Sequence, residues 1–142
     1  MGFTSEIRVL ALGLITDRSR TFVSQGYDPK KKQTYYRSLG GGIDFGETST
    51  IALEREFQEE LNAALTNIRY LGCLENIFEY NGKPGHEIVQ LYACDFLDRH
   101  FYEIESMEFN EGKRKKLALW VDCDRFHSGE LVIYPNGIEK YL

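Results

Sequence analysis

Short apolar runs alternate with polar punctuation along the chain, and their periods predict its elements. "EIRVLALGLITD", Glu6 to Asp17, is a near-continuous apolar run of strand length, as expected for a strand covered on both faces. "RTFVSQGY" follows as a second strand, with Asp17-Arg18-Ser19 as the turn between them. "DPKKKQTYY" is polar and opens on Asp-Pro, so it reads as an exposed loop entering a short strand from Tyr35 to Leu39. "GGGIDFGETST" is then a glycine-rich loop ending in hydroxyl side chains suited to capping a helix.

From about Thr50 to Leu65 the pattern becomes helical. Leu53, Phe57, Leu61 and Ala64 fall within ~80° of one another at ~100° per residue, a narrow apolar stripe. "NIRYLGCLENIFEY" and "EIVQLYACDFL" are rich in β-branched and aromatic residues, and "NGKPG" between them predicts a hairpin turn. "DRHFYEIESMEFNEGKRKK" reads as a long charged connection, "LALWVDCD" as a last strand and "IYPNGIEKYL" as a short terminal helix. This order predicts an α+β or mixed-sheet domain with helices on the sheet faces.

With 142 residues the chain suits one domain, spanning 1–142, and its 42% apolar and 27% charged residues are ordinary globular values. Its apolar runs fall short of the ~20 residues of a membrane span, so no membrane partner is expected. No basic-then-apolar leader is visible, and Glu6 stands where a myristoylation motif after Met1-Gly2 needs Ser or Thr. Cys73, Cys94 and Cys123 lack a CxxC pair and read as buried reduced thiols of a cytoplasmic protein. A net charge of −5 argues against bulk nucleic-acid binding. An acidic protein can still handle phosphates if metal ions supply positive charge.

The run Glu54-Arg55-Glu56-Phe57-Gln58-Glu59-Glu60-Leu61 sharpens that point. Like charges at i, i+4 oppose a helix by roughly 0.2–0.5 kcal/mol per pair. Glu56, Glu59 and Glu60 nonetheless share one sector beside the apolar stripe, while Glu54 and Gln58 point elsewhere. Something should compensate for that crowding.

Gly41, five residues, Glu47, seven residues, then Arg55-Glu56-Phe57-Gln58-Glu59-Glu60 resembles the Nudix box. Six fixed positions match, with a chance probability on the order of one in a hundred thousand for a chain of this length. Asn62 stands where the family has its late glycine, and Asn is the next-best residue for a left-handed helix end. The lead-in "YYRSLGGGIDFGE", Trp120 after an acidic segment, and the His-Glu pair in "LENIFEYNGKPGHEIVQLY" also look like the family.

The resemblance implies an α/β/α sandwich around a mixed β-sheet. It also implies hydrolysis of a nucleoside diphosphate linked to another group, such as ADP-ribose, a nucleotide sugar, a dinucleotide or a modified triphosphate. Metal-activated water would attack one phosphorus. Glu56, Glu59 and Glu60 would hold Mg²⁺, or Mn²⁺, with a carbonyl of Gly40 or Gly41, and Arg55 would brace the helix toward Glu47. Glu56, or one of Glu105, Glu108 and Glu111 on the segment before Trp120, would take the proton.

Arg37, Tyr36, His86 and Glu87 are the substrate-binding candidates; Tyr27, Tyr35, Tyr36, Phe78 and Tyr80 could stack on a base, with one or two of them expected to line the pocket. Lys30 to Lys32 and Lys113 to Lys116 either steer an anionic ligand or are solvated loops. A non-catalytic nucleotide sensor and a diphosphate isomerase are the competing readings, and a homodimer stays open.

Overall fold

The computed structural model describes residues 5–142; the Met1-Gly2 start weighed above lies outside them. The described elements are β1 (Ile7–Leu14), β2 (Thr16–Asp17), β3 (Arg20–Asp28), β4 (Gln33–Gly42), α1 (Ser49–Leu61), β5 (Leu65–Tyr80), β6 (Lys83–Phe96), β7 (Ser106–Glu111), β8 (Arg114–Asp122), α2 (Cys123–His127) and β9 (Ile133–Tyr134). Two 3-10 turns, Arg99–Tyr102 and Ile138–Tyr141, complete them. The strands form one mixed sheet ordered β5-β6-β1-β4-β3-β8-β7, with β2 on β3 and β9 on β4. β1 lies parallel to β6 and antiparallel to β4.

Alternation along β1 sorts the core into two layers. Ala11 packs with Ala52, Leu53 and Phe57 of α1, whereas Leu10, Leu12 and Leu14 pack with Phe126 of α2 and Ile138. Helical layers therefore cover both sheet faces, the expected α/β/α sandwich. Phe57 is 1% exposed, so truncating it to Ala should cost about 3–5 kcal/mol.

Several boundaries differ from the sequence reading. Cover on both faces of β1 starts only at Leu10; Ile7 and Val9 are exposed at 56% and 42%. The helix stops at Leu61 rather than Leu65, because Asn62 takes the left-handed conformation (φ 52°, ψ 43°). The Asn62 N–H donates to Gln58 O at 3.0 Å and the Ala63 N–H to Phe57 O at 3.3 Å, which closes the helix end. Ala64 is thus outside the stripe and exposed.

Gly40 to Gly42 are the last residues of β4, paired with Leu12, Ala11 and Leu10, and not a loop. Asn81 and Gly82, with φ of 51° and 78°, make the β5–β6 turn alone, and Lys83, Pro84 and Gly85 already belong to β6. The charged connection contains β7, whose Met107 and Phe109 alternate with polar residues and pair with β8. α2 was not anticipated; the Asp122 side chain caps it by accepting from the Asp124 N–H. Cys94 and Cys123 are buried, but Cys73 faces solvent on the outer strand β5, contrary to expectation.

Candidate active site

Two capping residues set α1 across the sheet. Thr48 Oγ1 accepts from the Ile51 N–H at its start, and Asn62 reverses the chain at its end. No basic side chain occupies the last turn, yet Glu59 and Glu60 do. Carboxylates there oppose the helix dipole by about 0.3–1 kcal/mol each.

Arg55 supplies part of the compensation. Its Nε and Nη2 donate to Glu47 Oε2 and Oε1 at 2.6 and 2.9 Å, a bidentate pair. Nη2 also reaches Gly42 O at 2.9 Å, while Nη1 donates to Glu56 Oε1 at 2.9 Å and approaches Glu59 at 3.3 Å. Asp44 Oδ2 lies 3.4 Å from Nη2. One guanidinium therefore links the loop after β4 to two of the three clustered acids. The Glu47 carboxyl is held below its ordinary pKa by the Arg55 hydrogen bonds, and Arg55 is pushed up in return.

The other acids are less well served. Burial pushes the Glu56 carboxyl up despite Arg55. Glu60 is pushed up to about 8, first by burial and then by the negative charges of Glu111 and Glu56. Among the described residues Glu60 has no ion-pair or hydrogen-bond partner. Gly41 lets β4 press against these acids: a Cβ there would sit 2.3 Å from Glu56 Oε2. Gly40, at φ 143°, would drive a Cβ to 2.1 Å from Ala11 O.

Glu56, Glu59, Glu60 and Gly41 line a cleft of about 540 Å³ with Arg8 and Glu111. Of the three acids before Trp120, only Glu111, at the end of β7, lines it; Glu105 and Glu108 do not. A pocket of about 260 Å³ adjoins the cleft through Arg8, Gly41 and Glu111. Tyr35, Phe78 and Tyr80 supply its aromatic wall, and Arg37, Asn76 and Glu87 its polar one. Arg37 Nη2 donates to Glu87 Oε1 at 3.1 Å, and the 3%-exposed Glu87 also accepts from Asn76 Nδ2 at 3.4 Å.

Two substrate-binding candidates lie elsewhere. Tyr36 is core, packed on Phe126 at 5.7 Å between ring centroids, because strand alternation turns it away from Tyr35 and Arg37. His86 lines a separate depression with Ile7 and Ile77 and reaches neither the cleft nor the pocket. Tyr27 lies beside the pocket, in a neighbouring groove. Sequence reasoning missed Arg8, Asn76 and Tyr134, which line the pocket without belonging to any motif. A polar Asn76 amid the apolar "LENIF" was the one available signal, since buried polar side chains are kept for a partner.

As placed, no three His, Cys, Asp or Glu side chains among the described residues are gathered tightly enough to hold an ion, and Arg55 Nη1 lies between Glu56 and Glu59. The donor chemistry still fits a hard divalent cation: three crowded carboxylates, one of them unpartnered, beside a strand end where glycines leave the backbone accessible.

A family model described as the NUDIX domain matches residues 5–134. A MutT NUDIX hydrolase from Burkholderia pseudomallei superposes with a TM-score of 0.61 at 23% identity, over 84% of this chain and 86% of that one. A NUDIX hydrolase from Nitrosomonas europaea gives 0.60 at 13% identity, over 95% and 85%. A mutator MutT protein from Bacillus halodurans gives 0.60 at 16%, over 95% and 79%. At these identities the likeness is one of fold. No curated protein sequence matches the chain.

Proposed function

Because the chain belongs to the Nudix family of pyrophosphohydrolases, whose members generally use divalent metals, we propose that it hydrolyses the diphosphate bond of a nucleoside diphosphate linked to another group, with Mg²⁺ or Mn²⁺ as cofactor. The observation that most supports this reading is the carboxylate face of α1. Its Glu60, without an ion-pair or hydrogen-bond partner among the described residues, is pushed up to about 8 and lines a cleft that opens into an aromatic and polar pocket. Acids so crowded and so poorly neutralised suit a cation-and-phosphate site better than a solvated helix face.

Glu56, Glu59 and Glu60 would hold the cation, together with a carbonyl of Gly40 or Gly41. When bound, it would shield the phosphates and lower the pKa of water. Arg55 fixes Glu56 relative to Glu47 and so orients the acidic face. Of the expected proton acceptors, Glu56 and Glu111 line the cleft, which supports either of them as the group that would take the proton of an attacking water. The water oxygen bonds to phosphorus, the bridging P–O bond breaks, and two phosphorylated fragments leave. Arg37 with Glu87 would contact the nucleoside, and Tyr35 or Tyr80 would stack on its base. This reading takes the chain as one domain. It also takes it as cytoplasmic, in keeping with its three unpaired cysteines and the lack of a helix long and apolar enough to cross a membrane among the described residues.

The test is a panel of nucleoside diphosphate derivatives incubated with Mg²⁺, with nucleoside monophosphate release as the readout. Glu59→Gln should lower turnover by orders of magnitude while the protein stays folded. If no compound is cleaved but one raises the melting temperature, the protein is a sensor and the hydrolase reading fails.

A further inference from the structure

The basic runs at 30–32 and 113–116 have no part in the chemistry above, yet the fold brings Lys31 of the first and Arg114 and Lys116 of the second to the pocket. Asp28 ties two hairpin tips together: its Oδ1 accepts from the Lys30 N–H at 3.0 Å, the Lys31 N–H at 3.2 Å and the Asn81 N–H at 3.2 Å. The Tyr80 hydroxyl donates to Tyr27 O at 3.2 Å and reinforces that link. The third tip, between β7 and β8, brings Arg114 and Lys116 to the pocket wall.

Beyond the pocket runs a groove of about 350 Å³, lined by Tyr27 and Lys115 and sharing Tyr35, Tyr80, Arg114 and Lys116 with the pocket. Acid cleft, aromatic pocket and cationic groove thus follow one another in a single track. Lys116 has Glu111 at 3.5 Å, but Arg114 and Lys115 have no carboxylate within 4.0 Å among the described residues, and Lys31 stands on the adjoining pocket wall. In a chain of net charge −5, a groove lined by Arg114, Lys115 and Lys116 and by no acid among the described residues is a local reversal of sign. Like charges held together around a concave surface raise the potential there and attract an anion. Tyrosines interleaved with cations are also the composition that holds successive nucleotides of a single strand.

We propose that this groove binds a second anionic group of the substrate: a phosphate on the 3′ side of the nucleoside whose 5′ diphosphate lies against the acidic helix. The inference rests on the cleft-and-pocket reading given under Proposed function. It narrows the substrate to 3′-phosphorylated nucleotides, whether free or as the 5′ end of a single-stranded oligonucleotide. The groove is short, in keeping with one or two phosphates rather than a duplex.

Binding settles this independently of turnover. The four nucleoside 5′-diphosphates, with and without a 3′-phosphate, and a 5′-diphosphorylated dinucleotide are titrated by calorimetry at low and high salt. A 3′-phosphate should tighten binding about tenfold at low salt, as charge-assisted contacts do, with most of the gain lost at high salt. Arg114→Ser with Lys115→Ser should abolish the gain, and Lys31→Ser, on a different hairpin, should reduce it. A larger gain for the dinucleotide assigns the oligonucleotide source, and a smaller one the free nucleotide. Equal affinity with and without the 3′-phosphate overturns the proposal, as does a gain that survives the double substitution. If the 3′-phosphate preference is present but nothing is hydrolysed, this inference stands and the hydrolase reading falls.

Discussion

Replacing Glu60 by Gln should stabilise the protein in the absence of divalent ions, and only toward alkaline pH. In the folded chain this carboxyl is pushed up from 4.5 to about 8, chiefly by burial. Between those pH values the folded protein keeps a proton that the unfolded chain releases. Stability therefore falls as pH rises from about 4.5, and the loss is complete above about 8. At about 1.4 kcal/mol per pH unit, that interval would amount to roughly 5 kcal/mol for a carboxyl sealed from water. Glu60 faces an open cleft, where water screens its charge, so about 2 kcal/mol is the expected penalty.

The amide of Gln titrates nowhere in this range and escapes that penalty. For a chain of this length the difference corresponds to a melting temperature roughly 6 °C higher in the variant at pH 9, shrinking to almost nothing at pH 5. Thermal melts of both proteins in EDTA, stepped from pH 5 to pH 9, read it directly. Parallel curves for the two proteins would refute the argument, because Glu60 would then carry no penalty for a cation to relieve. Mg²⁺ should recover the lost stability in the native protein and much less of it in the variant.

Two further outcomes follow from contacts in the same region and on the outer strand. Gly41→Ala places a Cβ 2.3 Å from Glu56 Oε2, so hydrolysis should fall at least about tenfold as Glu56 is displaced, whereas the melting temperature moves little; an unchanged rate would show that Glu56 has room to spare. Cys73 should react with a thiol reagent in the native state while buried Cys94, whose thiol is pushed up to about 12, and Cys123 react only on unfolding; prompt labelling of two or three thiols by mass spectrometry would contradict the packing.

How far the sequence could be read depended on how local each determinant is. The acid face of α1 was legible because i, i+3 and i+4 spacing is a property of one helix, whereas its Arg55–Glu47 brace was expected only through the resemblance to the Nudix box. The helix end was legible only in part. Asn62 was read as a left-handed terminator, yet the apolar stripe was still carried past it to Ala64, outvoting the single residue that stops the helix. β7 was hidden because its two apolar side chains sit among charges, and only pairing with β8 makes the alternation count. Tyr35 and Tyr36 both stand as candidates because nothing local to "TYYRS" says which tyrosine faces the pocket; that is decided by the register of β4 on β3. Asn76 and Arg8 come to the pocket from strands distant in sequence, so no window around either residue could have placed them there.

β4 carries Tyr35 and Arg37 into the pocket and, a few residues on, Gly41 against Glu56. Because one extended strand joins them, the distance between the two parts is covalent and nearly incompressible. At about 3.3 Å per residue, Arg37 and Gly41 are held about 13 Å apart. The strand therefore acts as a ruler. A ligand must match that length to occupy both ends at once, so the strand selects for length as well as for chemical identity.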